Sequence, residues 1–238
     1  MITLYAGTSP NVQKIYLALE EMALPYRVEP VDVFGGAQFS DSFKQLNPLA
    51  KVPTITDGEG PQGKPITLFE SGAILLYLAD KTGKLLSKDA ATRAHTIEWM
   101  MVQMTGIGPM FGQYVHFLRF APKPGNEYAL HRYRTQTHRF LEPVEGRLAR
   151  SAYLGGDEYS IADIATYPWA RIAPVLLGAG AAQTYPKITA WTAKIDERPA
   201  TKRALAAIEE LRAKITGFDK AQPEMLDRIF GRGAHTAA

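Results

Sequence analysis

Residues 52–83 read VPTITDGEGPQGKPITLFESGAILLYLADKTG, and the fold class is read from this stretch. VPTITD (52–57) and PITLFE (65–70) are β-rich runs, and GEGPQGK between them is a hairpin-like turn. SGAILLYLADKTG then carries a helical pattern that stops at Gly83. The stretch predicts a β-β-α unit.

Working back from it, ITLY (2–5) is a strand candidate. VQKIYLALEEMA follows, with Val12, Ile15, Tyr16, Leu19, Met22 and Ala23 at helical spacing. YRVEPVDV (26–33) reads as a second strand, and DSFKQLNP as a short helical turn ending at Pro48. The order is β-α-β-α-β-β-α. From about residue 86 the strand signals disappear. Amphipathic stretches at 90–119, 127–150, 160–178 and 186–214 take over, separated by breaks such as APKPGNE and ERPAT. An α/β domain over 1–83 and an all-helical domain over 90–238 are therefore expected. GFDKAQPEMLDRIFGRGAHTAA (217–238) holds one short helix candidate with Met225, Leu226, Ile229 and Phe230 on its apolar side.

With 46% apolar and 21% charged residues, the composition is that of a globular chain and not a disordered one. The formal charge is only +3, with Lys and Arg interleaved among Asp and Glu, so no basic stripe marks a nucleic-acid binder. AILLYLA (73–79) is too short to span a bilayer. Met1 leads directly into a strand-like run without a signal-peptide pattern, which makes the cytoplasm the expected location. The absence of cysteine rules out disulfides, thiolate metal sites and a cysteine nucleophile. His131 and His138 share a helix face but lack further ligands, so no metal site is expected.

Three junctions carry polar chemistry. In TSPN (8–11), Ser9 precedes Pro10, which suits the first helical position, so Ser9 is an N-cap candidate. A hydroxyl there can accept from a helix amide and donate its own proton elsewhere. At Val52-Pro53, a cis proline would leave the preceding backbone groups open to an extended peptide, whereas a trans edge proline would be purely structural. Glu70-Ser71 stands where a strand ends and a helix begins. Ser71 can cap that helix, and free N–H groups there attract a carboxylate. A fourth motif, Ser160-Ile-Ala-Asp163, fits a capping box and is structural.

TSPN (8–11), NPLAKVPTI (47–55), FESGAILLYL (69–78) and SIADIATYPW (160–169), taken in that order, resemble the glutathione transferase family. GIGPMFGQYVHF (106–117) and YALHRY (128–133) are similar to its bacterial nu class. The resemblance implies a thioredoxin-like N-terminal domain followed by an all-α domain. It also implies a homodimer, and glutathione, reduced or as its disulfide, as co-substrate. A hydroxyl and an asparagine of the first turn would face the sulfur. They map to Ser9 and Asn11, with Thr8 standing one place earlier, so which hydroxyl faces sulfur stays open. The γ-glutamyl carboxylate would bind at Ser71, with Glu70 toward the amino group. Val52, ahead of Pro53, would pair with the peptide. Gln38 and Lys51 would contact the glycyl end, and Arg132 would reach the active site. Met110, Phe111, Tyr114 and Phe117 are candidates for a second-substrate wall, set against an ordinary core role.

The energetics suit this reading. A thiol of pKa about 8.5 is only about 3% ionised at pH 7. Lowering that pKa by roughly two units needs about 2.7 kcal/mol of preference for the anion. Hydrogen bonds to charged groups contribute about 1.5–3 kcal/mol each, so one or two donors suffice. The activated sulfur would attack either an electrophilic carbon or a disulfide, and the sequence does not choose between them. The competing reading is a non-catalytic carrier or regulatory binding protein on the same fold. A thioredoxin- or glutaredoxin-type mechanism is excluded, because it needs a reactive cysteine.

Overall fold

The computed structural model describes residues 1–178 and 180–236. The chain runs β1 (Ile2–Ala6), α1 (Pro10–Met22), β2 (Tyr26–Pro30), α2 (Asp41–Leu46), β3 (Thr54–Asp57), β4 (Ile66–Phe69) and α3 (Ser71–Thr82). Helices follow: α4 (Ala90–Val102), α5 (Gly108–Val115), α6 (Glu127–Leu148), α7 (Ile161–Arg171), α8 (Ala173–Leu177) and α9 (Ala181–Thr184). The last are α10 (Pro186–Asp196), α11 (Pro199–Arg212) and α12 (Pro223–Phe230). This is the predicted thioredoxin-like order followed by an all-helical part. Packing groups the chain into two compact units, Met1–Ile74 with Lys202–Ala238, and Leu75–Thr201.

The first unit is built on a four-stranded sheet of order β2-β1-β3-β4. β1 runs parallel to β2 and antiparallel to β3, and β3 and β4 form the antiparallel hairpin. Because β1 is central and covered on both faces, Ile2, Thr3, Leu4 and Ala6 are all buried, a continuous pattern instead of an alternating one. α1 buries the predicted stripe of Val12, Ile15, Tyr16, Leu19 and Met22, and also Leu17 and Ala18. Ala23 does not join that stripe. It adopts a left-handed conformation (φ 55°) and closes the helix through its N–H to the Glu20 and Leu19 carbonyls.

β2 ends at Pro30 and not at Val33. The Asp32 carboxylate explains the stop, since it accepts from Gly35 N at 3.0 Å and from Thr216 N at 3.1 Å, pulling the chain out of the ladder. Proline in this strand is tolerated because β2 is an edge. From Lys202 onward the chain also belongs to this unit, with Ala204, Ile208 and Leu211 of α11 buried. Arg203 Nε donates to Glu20 Oε2 at 2.6 Å.

In the second unit, α7 is the central helix, with ten of its eleven residues buried. The capping box forms as the sequence predicts. Ala162 N donates to Ser160 Oγ at 3.3 Å, and Ser160 N donates to Asp163 Oδ2 at 3.0 Å. Asp163 does more than cap. Ser160 Oγ also donates to its Oδ2, and Leu154 N and Trp191 Nε1 both donate to its Oδ1 at 3.0 Å. Burial pushes the Asp163 carboxyl up to about 6, against the pull of these four donors. The stretch between α4 and α6 is irregular, with wide π turns at Gln103–Ile107 and His116–Phe120. Gly106 sits where any Cβ would overlap the Phe140 ring, so glycine sets how closely these helices approach.

Replacing Asp163 by alanine would leave several buried donors without an acceptor, at a cost of about 3 kcal/mol or more. The expected outcome is a marked fall in the urea midpoint for Asp163→Ala. An unchanged midpoint would contradict the structural role given to this carboxylate.

Candidate functional site

The sheet register brings the three polar junctions together. Tyr5 on β1 stands opposite Thr54 on β3, and Thr54 stands opposite Phe69 on β4. The turn Gly7–Asn11 leaves β1 just past this row. Lys51–Pro53 enters β3 just before it, and Glu70–Ser71 leaves β4 just after it. β2 is parallel to β1, with Ala6 opposite Pro30 and Val31 N donating to Ala6 O at 2.8 Å, so the loop after β2 starts at the same end. Gly7 marks the centre of this convergence. A Cβ on it would stand 3.4 Å from Val52 Cγ2 and 3.5 Å from Val33 Cγ2.

Each junction has its own local cause. Ser9 takes the N-cap position of α1 (φ −70°, ψ 157°), and its carbonyl accepts from Val12 N and Gln13 N at 3.0 and 3.1 Å. Its hydroxyl makes no capping bond, contrary to the expectation for this residue. Pro10 at the first helical position has no N–H to satisfy and already has a helical φ, so the start of α1 does not depend on that hydroxyl. Thr8, Ser9 and Asn11 are all half-buried beside the positive end of the helix.

The Val52-Pro53 bond is cis, and strand pairing begins only at Thr54, so the Val52 peptide lies outside the ladder. Buried Asn47 holds this segment. Its Nδ2 donates to Lys51 O at 2.7 Å and to Thr54 Oγ1 at 3.3 Å, while its Oδ1 accepts from Leu49 N at 3.0 Å. Glu70 has a positive φ of 68°, and its carbonyl accepts the first helical bond of α3 from Ile74 at 3.0 Å. Ser71 therefore opens α3 from inside the helix, where it was expected to stand ahead of it as the cap. A left-handed conformation at a non-glycine residue costs of order 1 kcal/mol and is typical of functional turns.

The glutathione S-transferase N-terminal domain model matches residues 8–81, and the glutathione S-transferase C-terminal domain model matches residues 107–199. The chain belongs to the glutathione S-transferase family. It is 44% identical over 212 residues to the disulfide-bond oxidoreductase YfcG of Escherichia coli K12, covering 86% of this chain and 94% of that protein. A glutathione transferase family member from Pseudomonas fluorescens, solved with two glutathione bound, is similar with a TM-score of 0.82 and 41% identity. That match covers 86% of this chain and 92% of the other. A glutathione transferase from Pseudomonas putida, solved with one glutathione disulfide per subunit, gives 0.81 and 39%, covering 86% and 90%.

Of the residues singled out in the sequence, Thr8, Ser9, Asn11, Val52, Pro53, Glu70 and Ser71 fall on the converging junctions. Lys51 is there too, exposed. Gln38, in the loop after β2, is buried. It is 3% exposed in the short 3₁₀ turn Ala37–Phe39, and its Oε1 has no hydrogen-bond partner. Arg132 lies on α6 in the second unit, exposed, and is not among the residues that the register assembles. Two of the proposed wall residues are core instead. Phe111 packs edge-on against Trp169 at 6.0 Å, and the buried Tyr114 hydroxyl donates to Leu176 O at 3.1 Å. Among the described residues, no cluster of His, Cys, Asp or Glu could hold a metal ion, and no helix is long and apolar enough to cross a membrane.

Sequence reasoning missed Asn47 and Lys14. Asn47 precedes a proline in NPLAKVP, a turn signal that could have found it. Lys14 is 1% exposed on α1, and its Nζ donates to Ser71 Oγ at 3.3 Å. A lysine inside a helix that is apolar on nearly every side was the available signal. Burial lowers the Lys14 ammonium from 10.5 to about 7, with the charge of Glu70 opposing the shift.

Between pH 7 and 10.5 the unfolded chain binds more protons at Lys14 than the folded one, so folding stability rises with pH across that window. Unfolding free energies of the parent and of Lys14→Met, compared from pH 7 to 9.5, should show the parent gaining stability relative to the variant. Parallel curves would contradict the burial of this charge.

Proposed function

We propose that this chain is a glutathione-dependent enzyme that ionises the tripeptide's thiol at the first turn of α1. It then delivers that sulfur to a disulfide or to an electrophilic carbon. The observation that carries the reading is the row Tyr5–Thr54–Phe69, from which all three polar junctions depart at one end of the sheet. The tripeptide would lie extended along the unpaired Val52 backbone. Its γ-glutamyl carboxylate would meet the first amides of α3 at Ser71, with its amino group toward Glu70. The glycyl end would face Gln38 and Lys51. The sulfur would then sit at Ser9 and Asn11, or at Thr8, beside the N-terminus of α1. The uncommitted Ser9 hydroxyl supports this assignment. Arg132 joins the set on family resemblance alone.

For a disulfide RS–SR′, the glutathione thiolate attacks one sulfur, forming the mixed disulfide GS–SR and releasing R′S⁻, which takes up a proton. A second glutathione thiolate then attacks the glutathione sulfur of GS–SR, yielding glutathione disulfide and RS⁻. For an electrophile RX, the thiolate displaces X⁻ and forms GS–R. Neither route needs a sulfur from the protein, which has no cysteine. The disulfide route is favoured by the similarity to a disulfide-bond oxidoreductase and to a transferase solved with glutathione disulfide. The reading extends to a nu-class homodimer working in the cytoplasm, where the glutathione pool is reducing.

Loss of one charge-assisted hydrogen bond to the thiolate, about 1.5–3 kcal/mol, corresponds to roughly 10- to 100-fold in kcat/KM. Ser9→Ala, Thr8→Ala and Asn11→Ala are each expected to be assayed for reduction of a small disulfide and for conjugation of an aryl halide. The residues that face sulfur should show that loss, together with a raised thiol pKa of bound glutathione in ultraviolet titration. Parent-like behaviour of all three variants would sink the proposal, as would tight binding of apolar ligands without glutathione binding in calorimetry.

A further inference from the structure

The C-terminal segment lies beyond both matched family domains, which end at residue 199, and it returns to the first unit. There it meets one loop at four points. Thr216 donates to both oxygens of Asp32, from N at 3.1 Å and from Oγ1 at 2.7 Å. The Phe218 ring packs edge-on against Phe34 at 5.7 Å. Gly36 has a φ of 89°, and a Cβ on it would collide with the Met225 thioether of α12. The Arg228 guanidinium lies 4.2 Å over the Phe39 ring.

Gln38 stands between the last two of these contacts. Its amide oxygen is buried without a donor. A primary amide offers an acceptor and donors together, a set that matches the N–H and carboxylate of a C-terminal glycyl residue. We infer that the segment from Thr216 to Phe230 is a strap that fixes loop 32–40, and through it Gln38, so that it sets the preference for the glycyl end of the thiol substrate. Met225 and Arg228 are positioning residues in this scheme, because they touch the loop and not the substrate. The inference rests on the glycyl role proposed above for Gln38.

Substrate truncation tests it. γ-Glutamylcysteine carries the same thiol and γ-glutamyl group as glutathione but lacks the glycine. Disulfide reduction is measured with each thiol for the parent, Gln38→Ala, Arg228→Ala and the double variant Met225→Ala/Arg228→Ala. Because Arg228 is exposed, its single variant keeps the test sound if the double one folds poorly. In the strap variants, KM for glutathione should rise about 2- to 10-fold, as expected for one neutral hydrogen bond. kcat and the KM for γ-glutamylcysteine should stay as in the parent. Amides of 33–40 should exchange hydrogen faster, with those of β1 and β3 unchanged. Strap variants that keep the parent's preference, while Gln38→Ala loses it, overturn the strap alone. Equal weakening for both thiols makes the tail a general support and also overturns it. A parent and Gln38→Ala with equal preference overturn the glycyl assignment and the strap together.

Discussion

The antiparallel pairing of β3 with β1 on one side and β4 on the other is the constraint on which the candidate site depends. With Thr54 set between Tyr5 and Phe69, three segments separated in sequence must begin or end at one end of the sheet. A slip of one residue would turn every side chain of β3 to the opposite face and remove Ile55 from the core. The pairing that buries Ile55 therefore holds the site in register together with the fold. Gly7 lies between Val52 and Val33, where a Cβ would just reach van der Waals contact with both side chains.

Each unit also buries one ionisable group beneath a helix start. Asp163 accepts four hydrogen bonds and links the first turn of α7 to Leu154 and Trp191. Lys14 reaches from α1 to Ser71 at the first turn of α3. The two differ in kind. The carboxylate is surrounded by donors and serves packing. The ammonium lies under a junction whose outer side carries exposed Glu70 in a left-handed conformation. Buried polar groups of this sort specify one arrangement of the elements around them, since any other leaves a charge or a donor unsatisfied.

Much of the site was legible residue by residue. Ser-Pro before an apolar stripe marks a helix start, Val-Pro marks a break in a ladder, and Glu-Ser marks a strand-to-helix junction. Local rules failed where a side chain had two possible uses. Ser9 reads as a cap, yet Pro10 made its hydroxyl unnecessary to the helix. Phe111 and Tyr114 read more readily as core than as wall, and packing against Trp169 with a bond to Leu176 placed them in the core. Asp32 ended β2 early by taking donors from Gly35 and from Thr216, and a partner 184 residues away leaves no trace in local spacing.

The order of elements, the helical periodicities, the capping box at Ser160 and the lack of any protein thiol were determined by the sequence alone. Each depends on short-range spacing or on composition. Only the tertiary structure decided that Lys14 and Gln38 are buried and that the tail from Thr216 lies against the loop after β2. Those outcomes depend on which surfaces meet when distant segments pack, and burial is a property of the assembled core that no window of neighbouring residues contains.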